Sequence, residues 1–320
     1  MSPTPLLRAV VRQFGIAAHC VELEQYNDRS PSPGNIAVHM RLAAINPSDL
    51  ITISGAYPTR TQLPFIPGFE GVGSVASAAG NQRVLPLGTA GAWQQIKYSD
   101  PAWCFPVPDW LSDEQAATSY VNPMTAWMML TEAVHLPAGA KLAINAANSA
   151  IGLMLLKMAK RLQLDVVAIV RSQQAAQSLD AASVMIMASA EDRHAAQALK
   201  AAGGVDAVLD CIGGNSALTL ATALKPGGKF ISYGLLSGQA IPNAFWLQRP
   251  DIDFCYFHLR QWIHQASQPQ IAARLDEVFA LIRDGVATTR IAAIFPLAEI
   301  TEALHFYQQQ RHTGKILIQC

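Results

Sequence analysis

The sequence predicts an α/β protein in two parts: a β-rich part and a doubly wound parallel-sheet domain. Three observations carry that expectation. Short alternating segments such as Ile36–Ala44 and Val72–Ala76, punctuated by Pro and Gly, fill residues 1 to 118. From Ser112-Asp113-Glu114-Gln115, a helix-start pattern, apolar strand runs alternate with runs of helical period. Lys141–Arg171 reads as one βαβ unit, with an apolar run, a small-residue turn (Ala146 to Gly152), an amphipathic helix and a β-branched strand.

Taken in order, helical period shows early only around Asn46–Ser54. The second part offers strands at Leu142–Asn145, Val166–Val170, Val184–Met187, Val205–Asp210 and Lys229–Tyr233. Helices fall near 150–162, 191–202 and 215–224, the last stopped by Pro226-Gly227-Gly228. A helix at 270–284, a strand at Arg290–Phe295, a helix at 299–310 and a strand at Lys315–Ile318 follow. No repeat or low-complexity segment interrupts the chain.

Composition narrows the function classes. A 51% hydrophobic and 14% charged chain of 320 residues is no disordered protein, and two domains are expected at this length. Zero formal net charge gives no reason to expect nucleic acid or an anionic membrane as partner. The five cysteines are scattered without a CxxC pair, which argues against a metal lobe or disulfide framework and suits a reducing cytosol. No signal-peptide run follows Pro3, Pro5 and Arg8, and no uncharged apolar run reaches the roughly 18 residues of a membrane span. A cytoplasmic protein is expected.

The turn at Ala147, Ser149 and Gly152 keeps only the third glycine of G-x-G-x-x-G. Two readings stay open on the motif alone: an ordinary strand–turn–helix crossover, or a pyrophosphate seat at a helix N-terminus. Gly71-Val72-Gly73-Ser74-Val75-Ala76 also fits G-x-G-x-x-A, but it runs into a strand and opens no helix. The position about 20 residues past the turn, where an NAD site wants a carboxylate, is Arg171, followed by Ser172. A guanidinium there suits the 2′-phosphate of NADPH. The alternative is a solvated arginine at a strand end.

With these residues in place, the chain resembles the medium-chain dehydrogenase/reductase superfamily over nearly its whole length. Within it the resemblance is nearest to zinc-independent 2-enoyl thioester reductases of the mitochondrial type, with quinone oxidoreductases as neighbours. The stretches that carry it include Asn46-Pro47-Ser48-Asp49, Gly55-Ala56-Tyr57-Pro58, Pro67-Gly68-Phe69-Glu70-Gly71 and Val121-Asn122-Pro123-Met124-Thr125. Asn148-Ser149-Ala150-Ile151-Gly152, Tyr233-Gly234, Phe257-His258-Leu259-Arg260-Gln261-Trp262 and His312-Thr313-Gly314-Lys315 complete it. The resemblance implies a GroES-like catalytic domain from residues 1–118 and 286–320, and a Rossmann domain from 119–285. Zinc-dependent relatives place His before Glu70 and Cys near Asn46; both are missing here, so a catalytic metal is not expected.

The same matching implies Tyr57 as the proton donor and NADPH as cofactor. Asn122 and Thr125 would face the nicotinamide. Asn148, Ser149, Ala150, Ile151 and Gly152 would line the pyrophosphate, with Arg171, Ser172 and Gln173 on the 2′-phosphate. Tyr233, Gly234, Leu235 and Leu236 would close over the nicotinamide with Phe257, His258 and Leu259, and Lys315 would lie in the cleft. Structural alternatives stand beside these roles: Tyr57 as the cap of a Pro-rich turn, Phe257 as packing, Lys315 as surface chemistry, Glu70 as a buried structural carboxylate. The expected reaction is reduction of a trans-2-enoyl thioester, hydride to Cβ and proton to Cα. The alternatives are an NADPH:quinone oxidoreductase and a non-catalytic NADPH-binding structural protein. A CoA or acyl-carrier-protein thioester calls for basic residues, for which Arg60, Lys97 and Arg260 are candidates, and the family habit is a homodimer.

Overall fold

The computed structural model describes residues 5–28, 32–77, 80–177, 179, 185–188, 192–309 and 314–320. The chain divides into two compact units, Met1–Val121 with Arg260–Cys320, and Asn122–Leu259. Unit 1 opens with β1 (Leu6–Val11), α1 (Ala17–Cys20), β2 (Val21–Tyr26), β3 (Ile36–Ala44) and α2 (Pro47–Ile53). It continues through β4 (Gly71–Ser77), β5 (Gly80–Pro86), β6 (Ile96–Ser99), β7 (Cys104–Pro106) and α3 (Asp113–Ala116). Unit 2 follows from α4 (Val121–Met128) to β8 (Lys141–Ile144), α5 (Ala150–Arg161), β9 (Asp165–Val170), α6 (Gln173–Ala176) and β10 (Met185–Ala188). Next come α7 (Asp192–Ala201), β11 (Val205–Asp210), α8 (Gly214–Ala221), β12 (Leu224–Ser232), α9 (Ala244–Gln248) and β13 (Asp253–Tyr256). The chain returns to unit 1 with α10 (Leu259–Gln265), α11 (Gln268–Arg283), β14 (Ile291–Pro296), α12 (Ile300–Gln309) and β15 (Lys315–Gln319).

Unit 1 is held by a sheet in the order β14-β15-β3-β4-β5-β7, with β6 also on β3 and a separate β1-β2 pair. Its last strand pairs antiparallel with β3, Leu317 opposite Ala44, so both chain ends build one sheet. The glycines of the decoy motif lie in β4. A Cβ on Gly71 would meet the Leu42 carbonyl oxygen at 2.7 Å, and one on Gly73 the Val38 side chain at 2.6 Å. They let two strands approach closely and have no phosphate role. The core gathers Val38, Met40, Ile45, Ile53, Trp93, Leu304 and Ile316.

In unit 2 every strand pair is parallel, in the order β10-β9-β8-β11-β12-β13. Renumbered within the unit, that is 3-2-1-4-5-6, the order of a dinucleotide-binding sheet. Its β-branched strands suit a sheet covered on both faces. Phe230, Phe245, Val208 and Leu220 pack in the core on one face.

The structure moves one boundary. The expectation drew it after residue 285, whereas the compact units divide after Leu259. The reason is contact: His264 of α10 packs its ring 5.3 Å from that of Trp103, and Arg283 of α11 lies over Trp110. Helical period shows that a helix exists, not which core it joins. Strand β12 also begins earlier than expected, carrying Pro226-Gly227-Gly228 through a register shift against β11. Strand β13, α9 and α10 had no clear sequence signal. Val184, expected in the third strand, and His312-Thr313 lie outside the described residues. Among the described residues, no helix is long and apolar enough to cross a membrane.

Candidate active site

The expected cofactor residues 148–152, 171–173, 233–236 and 257–259 follow strands β8, β9, β12 and β13 at the carboxyl edge of the unit 2 sheet. Strand β8 ends at Asn145, which is fully buried. Its side chain donates to Asp210 at the end of β11 and accepts from the Cys211 amide at 2.9 Å. This ties together the two central strands, between which the strand order reverses. The chain then turns through Ala146, at φ +44, and half-buried Asn148 to Ser149. Ser149 caps α5 by accepting from the Gly152 amide at 3.1 Å. Glycine is required at 152: a Cβ there would meet the Ala147 and Ala146 carbonyl oxygens at 2.6 and 2.8 Å. The first-turn amides of Ala150 and Ile151 have no acceptor within the helix, and the helix dipole favours an anion beside them.

At the end of the neighbouring strand β9, Arg171 is exposed and has no ion-pair partner among the described residues. Ser172 caps α6 through the Ala175 amide, and Gln173 is the first residue of that helix. On the other side, the segment after β12 lies along the end of β11. The Tyr233 amide donates to the Asp210 carbonyl and the Leu236 amide to that of Cys211, each at 2.9 Å. Gly234 is forced by the same approach, since a Cβ would sit 2.7 Å from the Cys211 carbonyl oxygen. The Tyr233 hydroxyl is buried beside the Cys211 thiol, and burial first, then Cys211, raises its pKa well above the usual phenol value. Leu235 and Leu236 are 40% and 57% exposed. After β13, Phe257 donates to the Ser232 carbonyl and is half-buried beside exposed His258 and half-buried Leu259. Asn122 and Thr125 sit on α4, the first buried and the second half-buried.

Tyr57, within unit 1, is 41% exposed on the turn that leaves α2. Gly55, at φ +85, makes that turn against the Phe14 ring. Lys315 is no surface residue. It belongs to unit 1 and is only 5% exposed, its ammonium donating to the Asn46 side-chain carbonyl and lying 3.5 Å from the Ile45 carbonyl. Around it is a buried polar group that the sequence did not reveal as a unit. Asp49 caps its own helix by accepting from the Asn46 amide at 2.8 Å, and it also accepts from the Phe69 amide at 3.0 Å. Glu70, 1% exposed, accepts from the Val121 amide. That agrees with its reading as a buried structural carboxylate. Burial raises Asp49 to about 7, against the pull of the Asn46 amide and the Lys315 charge. Burial likewise raises Glu70 and lowers Lys315. The Asn-Pro-Ser-Asp capping pattern was the available signal; the Glu70 and Lys315 partners needed the fold.

Of the basic residues considered for a charged carrier, Lys97 drops out. It is 2% exposed and donates to the Pro86 and Thr89 carbonyls at 2.8 Å. Arg260 is exposed, its guanidinium 5.2 Å from the Phe69 ring centre, and Arg60 is exposed. Among the described residues, no group of three or more His, Cys, Asp or Glu is placed to hold a metal.

A switch-point parallel sheet with a capped helix N-terminus at its carboxyl edge, joined in one chain to a β-rich unit closed by its own C-terminal strand, defines a class of dinucleotide-binding oxidoreductases. Residues 32–109 match the alcohol dehydrogenase GroES-like domain, and 179–318 the zinc-binding dehydrogenase family. The mitochondrial enoyl-[acyl-carrier-protein] reductase of Caenorhabditis elegans is 32% identical over 254 residues, 75% of this chain and 73% of that one. The human protein of the same name is 28% identical over 94% of this chain and 85% of its own length. A crystal structure assigned to an NADPH:quinone reductase from Bacillus thuringiensis superposes with a TM-score of 0.92 at 29% identity, covering 99% of this chain and all of the other (100%). Escherichia coli quinone oxidoreductase complexed with NADPH shares the fold, at TM-score 0.88 and 21% identity over 98% of this chain and 100% of that one. The chain belongs to the medium-chain dehydrogenase/reductase superfamily.

Proposed function

We propose that this protein reduces the carbon–carbon double bond of trans-2-enoyl thioesters with NADPH, without a metal. The chain is an NADPH-dependent oxidoreductase, and its residues fit that cofactor. The amides of Ala150 and Ile151 and the Ser149 cap suit a pyrophosphate. Arg171 stands where an NAD site needs a carboxylate, so a 2′-phosphate gains an ion pair there and a free 2′-hydroxyl loses its acceptor. The bound cofactor supplies hydride to Cβ.

What the chain must add is a proton at Cα and stabilisation of the enolate oxygen. Exposed Tyr57 on its glycine-made turn is the observation that carries the reading: a phenol can hydrogen-bond the enolate and hand its proton to Cα. The 32% identity to an enoyl reductase supports the thioester substrate. A quinone substrate is the second reading, favoured by the 29% identical neighbour. The deciding experiment follows NADPH oxidation with short and medium trans-2-enoyl-CoA and with quinones, in wild type and Tyr57→Phe. No turnover of any enoyl thioester, or full activity in Tyr57→Phe, ends the first reading; quinone turnover alone establishes the second.

A second copy of the chain is the proposed partner. Strand β13 is an outer strand of its sheet, Tyr256 on it is 52% exposed, and Trp246 and Leu247 on α9 are 40% and 83% exposed. Light scattering on the purified protein should give twice the chain mass; a monomer removes this assembly.

A further inference from the structure

Unit 1 buries three ionisable side chains together, and the reaction as described uses none of them. Asp49, Glu70 and Lys315 are 1%, 1% and 5% exposed. Lys315 comes from the far end of the chain; its charge lowers both carboxyls, and the Glu70 charge raises Asp49. Lys315 makes no direct ion pair with either carboxyl among the described residues. It is held by the side-chain carbonyl of Asn46, the residue that caps α2. Two further polar atoms of the group are buried, Asn46 Nδ2 and Glu70 Oε1, and the Asn46 side chain opposes the rise of Glu70.

Fully ionised, the group would carry one uncompensated negative charge away from water, which is costly. One proton on the carboxyl pair makes it neutral. The other titratable neighbour of Glu70 is the Tyr120 phenol, itself raised by burial and then by Glu70, and eased by the charge of Arg260. That phenol stays neutral and cannot supply the missing positive charge.

We propose that Asp49, Glu70 and Lys315 act as one titrating unit, with one proton distributed over the two carboxyls at neutral pH, and that this unit positions the Tyr57 turn through Asn46 and α2. The proton belongs to the pair and to neither carboxyl alone. The mechanical path is short. Lys315 and the Asp49 carboxylate fix Asn46 from two sides, Asn46 starts α2, and α2 ends in the Gly55 turn that presents Tyr57. Lys315 is thus a positioning residue, and this half of the proposal rests on Tyr57 being the proton donor. The shared proton does not.

Infrared difference spectroscopy on the whole protein reads the first half directly. A protonated, buried carboxyl band should be present at pH 7, vanish in both Asp49→Asn and Glu70→Gln, where one carboxylate is left to balance Lys315, and grow in Lys315→Met. Absence of the band in wild type, or its survival in both carboxyl variants, overturns the shared proton. Survival would trace it to another buried carboxyl such as Asp210.

For positioning, Lys315→Met should lower kcat about tenfold or more. NADPH affinity, read by nucleotide fluorescence, should stay within about twofold, and the alkaline limb of kcat should move to higher pH as the missing charge raises both carboxyls. If Lys315→Met does not fold, Glu70→Gln is read in its place; kcat should again fall, but this unit's alkaline limb should be lost, because the remaining carboxylate balances Lys315. Wild-type kcat and pH profile in a folded variant overturn positioning. A wild-type protein that turns over no enoyl thioester overturns the substrate reading and leaves the infrared result standing.

Discussion

At the carboxyl edge of unit 2, the groups offered to a ligand are mostly main chain: the first amides of α5 and a turn shaped by Gly152. Beneath α2 in unit 1 the polar groups are side chains, Asn46, Asp49, Glu70 and Lys315, buried, interlocked and closed to a ligand. The contrast explains a feature of the sequence. A site made from amides needs only small residues around it, so Ala147 and Ser149 can stand where glycines are expected. A buried side-chain network depends on the identity of each member, because removing one strands the rest.

That contrast can be broken or sharpened by substitution. The largest effect is expected at Tyr57, which neither network buries. Tyr57→Phe should cut kcat for enoyl reduction by about 10²–10³, or ~3–4 kcal/mol in the barrier, and leave melting temperature and NADPH affinity unchanged. Steady-state kinetics beside nucleotide titration tests it. A loss of NADPH affinity instead would move Tyr57 from chemistry to binding.

Gly152→Val comes next. The new side chain strikes two carbonyl oxygens that cannot yield, so about 3 kcal/mol of stability and most NADPH affinity should go together in denaturant melts and fluorescence titration. A stable variant with normal affinity would show that the turn has slack, contrary to a site built on main chain.

Arg171→Ala should weaken NADPH about tenfold to hundredfold, ~2 kcal/mol, while barely affecting NADH. The ratio of kcat/KM for the two cofactors is the readout, and an unchanged ratio would leave Arg171 a solvated strand-end residue.

The smallest effect concerns Lys97, a second buried ammonium in unit 1 that faces carbonyls where Lys315 has carboxyls nearby. Burial lowers it to about 8 from 10.5. The folded protein therefore binds fewer protons than the unfolded chain between those values. Its burial cost is fully present below pH 8 and is relieved as pH rises toward 10.5. Against Lys97→Met, wild type should gain about 1 kcal/mol between pH 7 and pH 9 in urea melts. A pH-independent difference would mean that its hydrogen bonds to Pro86 and Thr89 compensate the burial.

Much of unit 2 could be read along the chain because its elements are local and periodic. The expected strand Val166–Val170 is β9 less one residue, and the helix 150–162 is α5 plus one. The candidate residues 148–152, 171–173, 233–236 and 257–259 follow β8, β9, β12 and β13 and share one sheet edge, because parallel strands end on the same side. Lys315 shows where such reading stops. A Gly-Lys before a final strand carries no mark of burial, and only the pairing of β15 with β3 brings it to Asn46.

By itself, then, the sequence determined the alternation of strands and helices and the small-residue turn that opens α5, since each depends on residues close together in the chain. Tertiary structure alone decided that α10 and α11 pack with unit 1, that β15 closes its sheet, and that Asp49, Glu70 and Lys315 meet in one buried group. Those outcomes join residues far apart in sequence. Their cause is the burial of side chains against partners that no local pattern names.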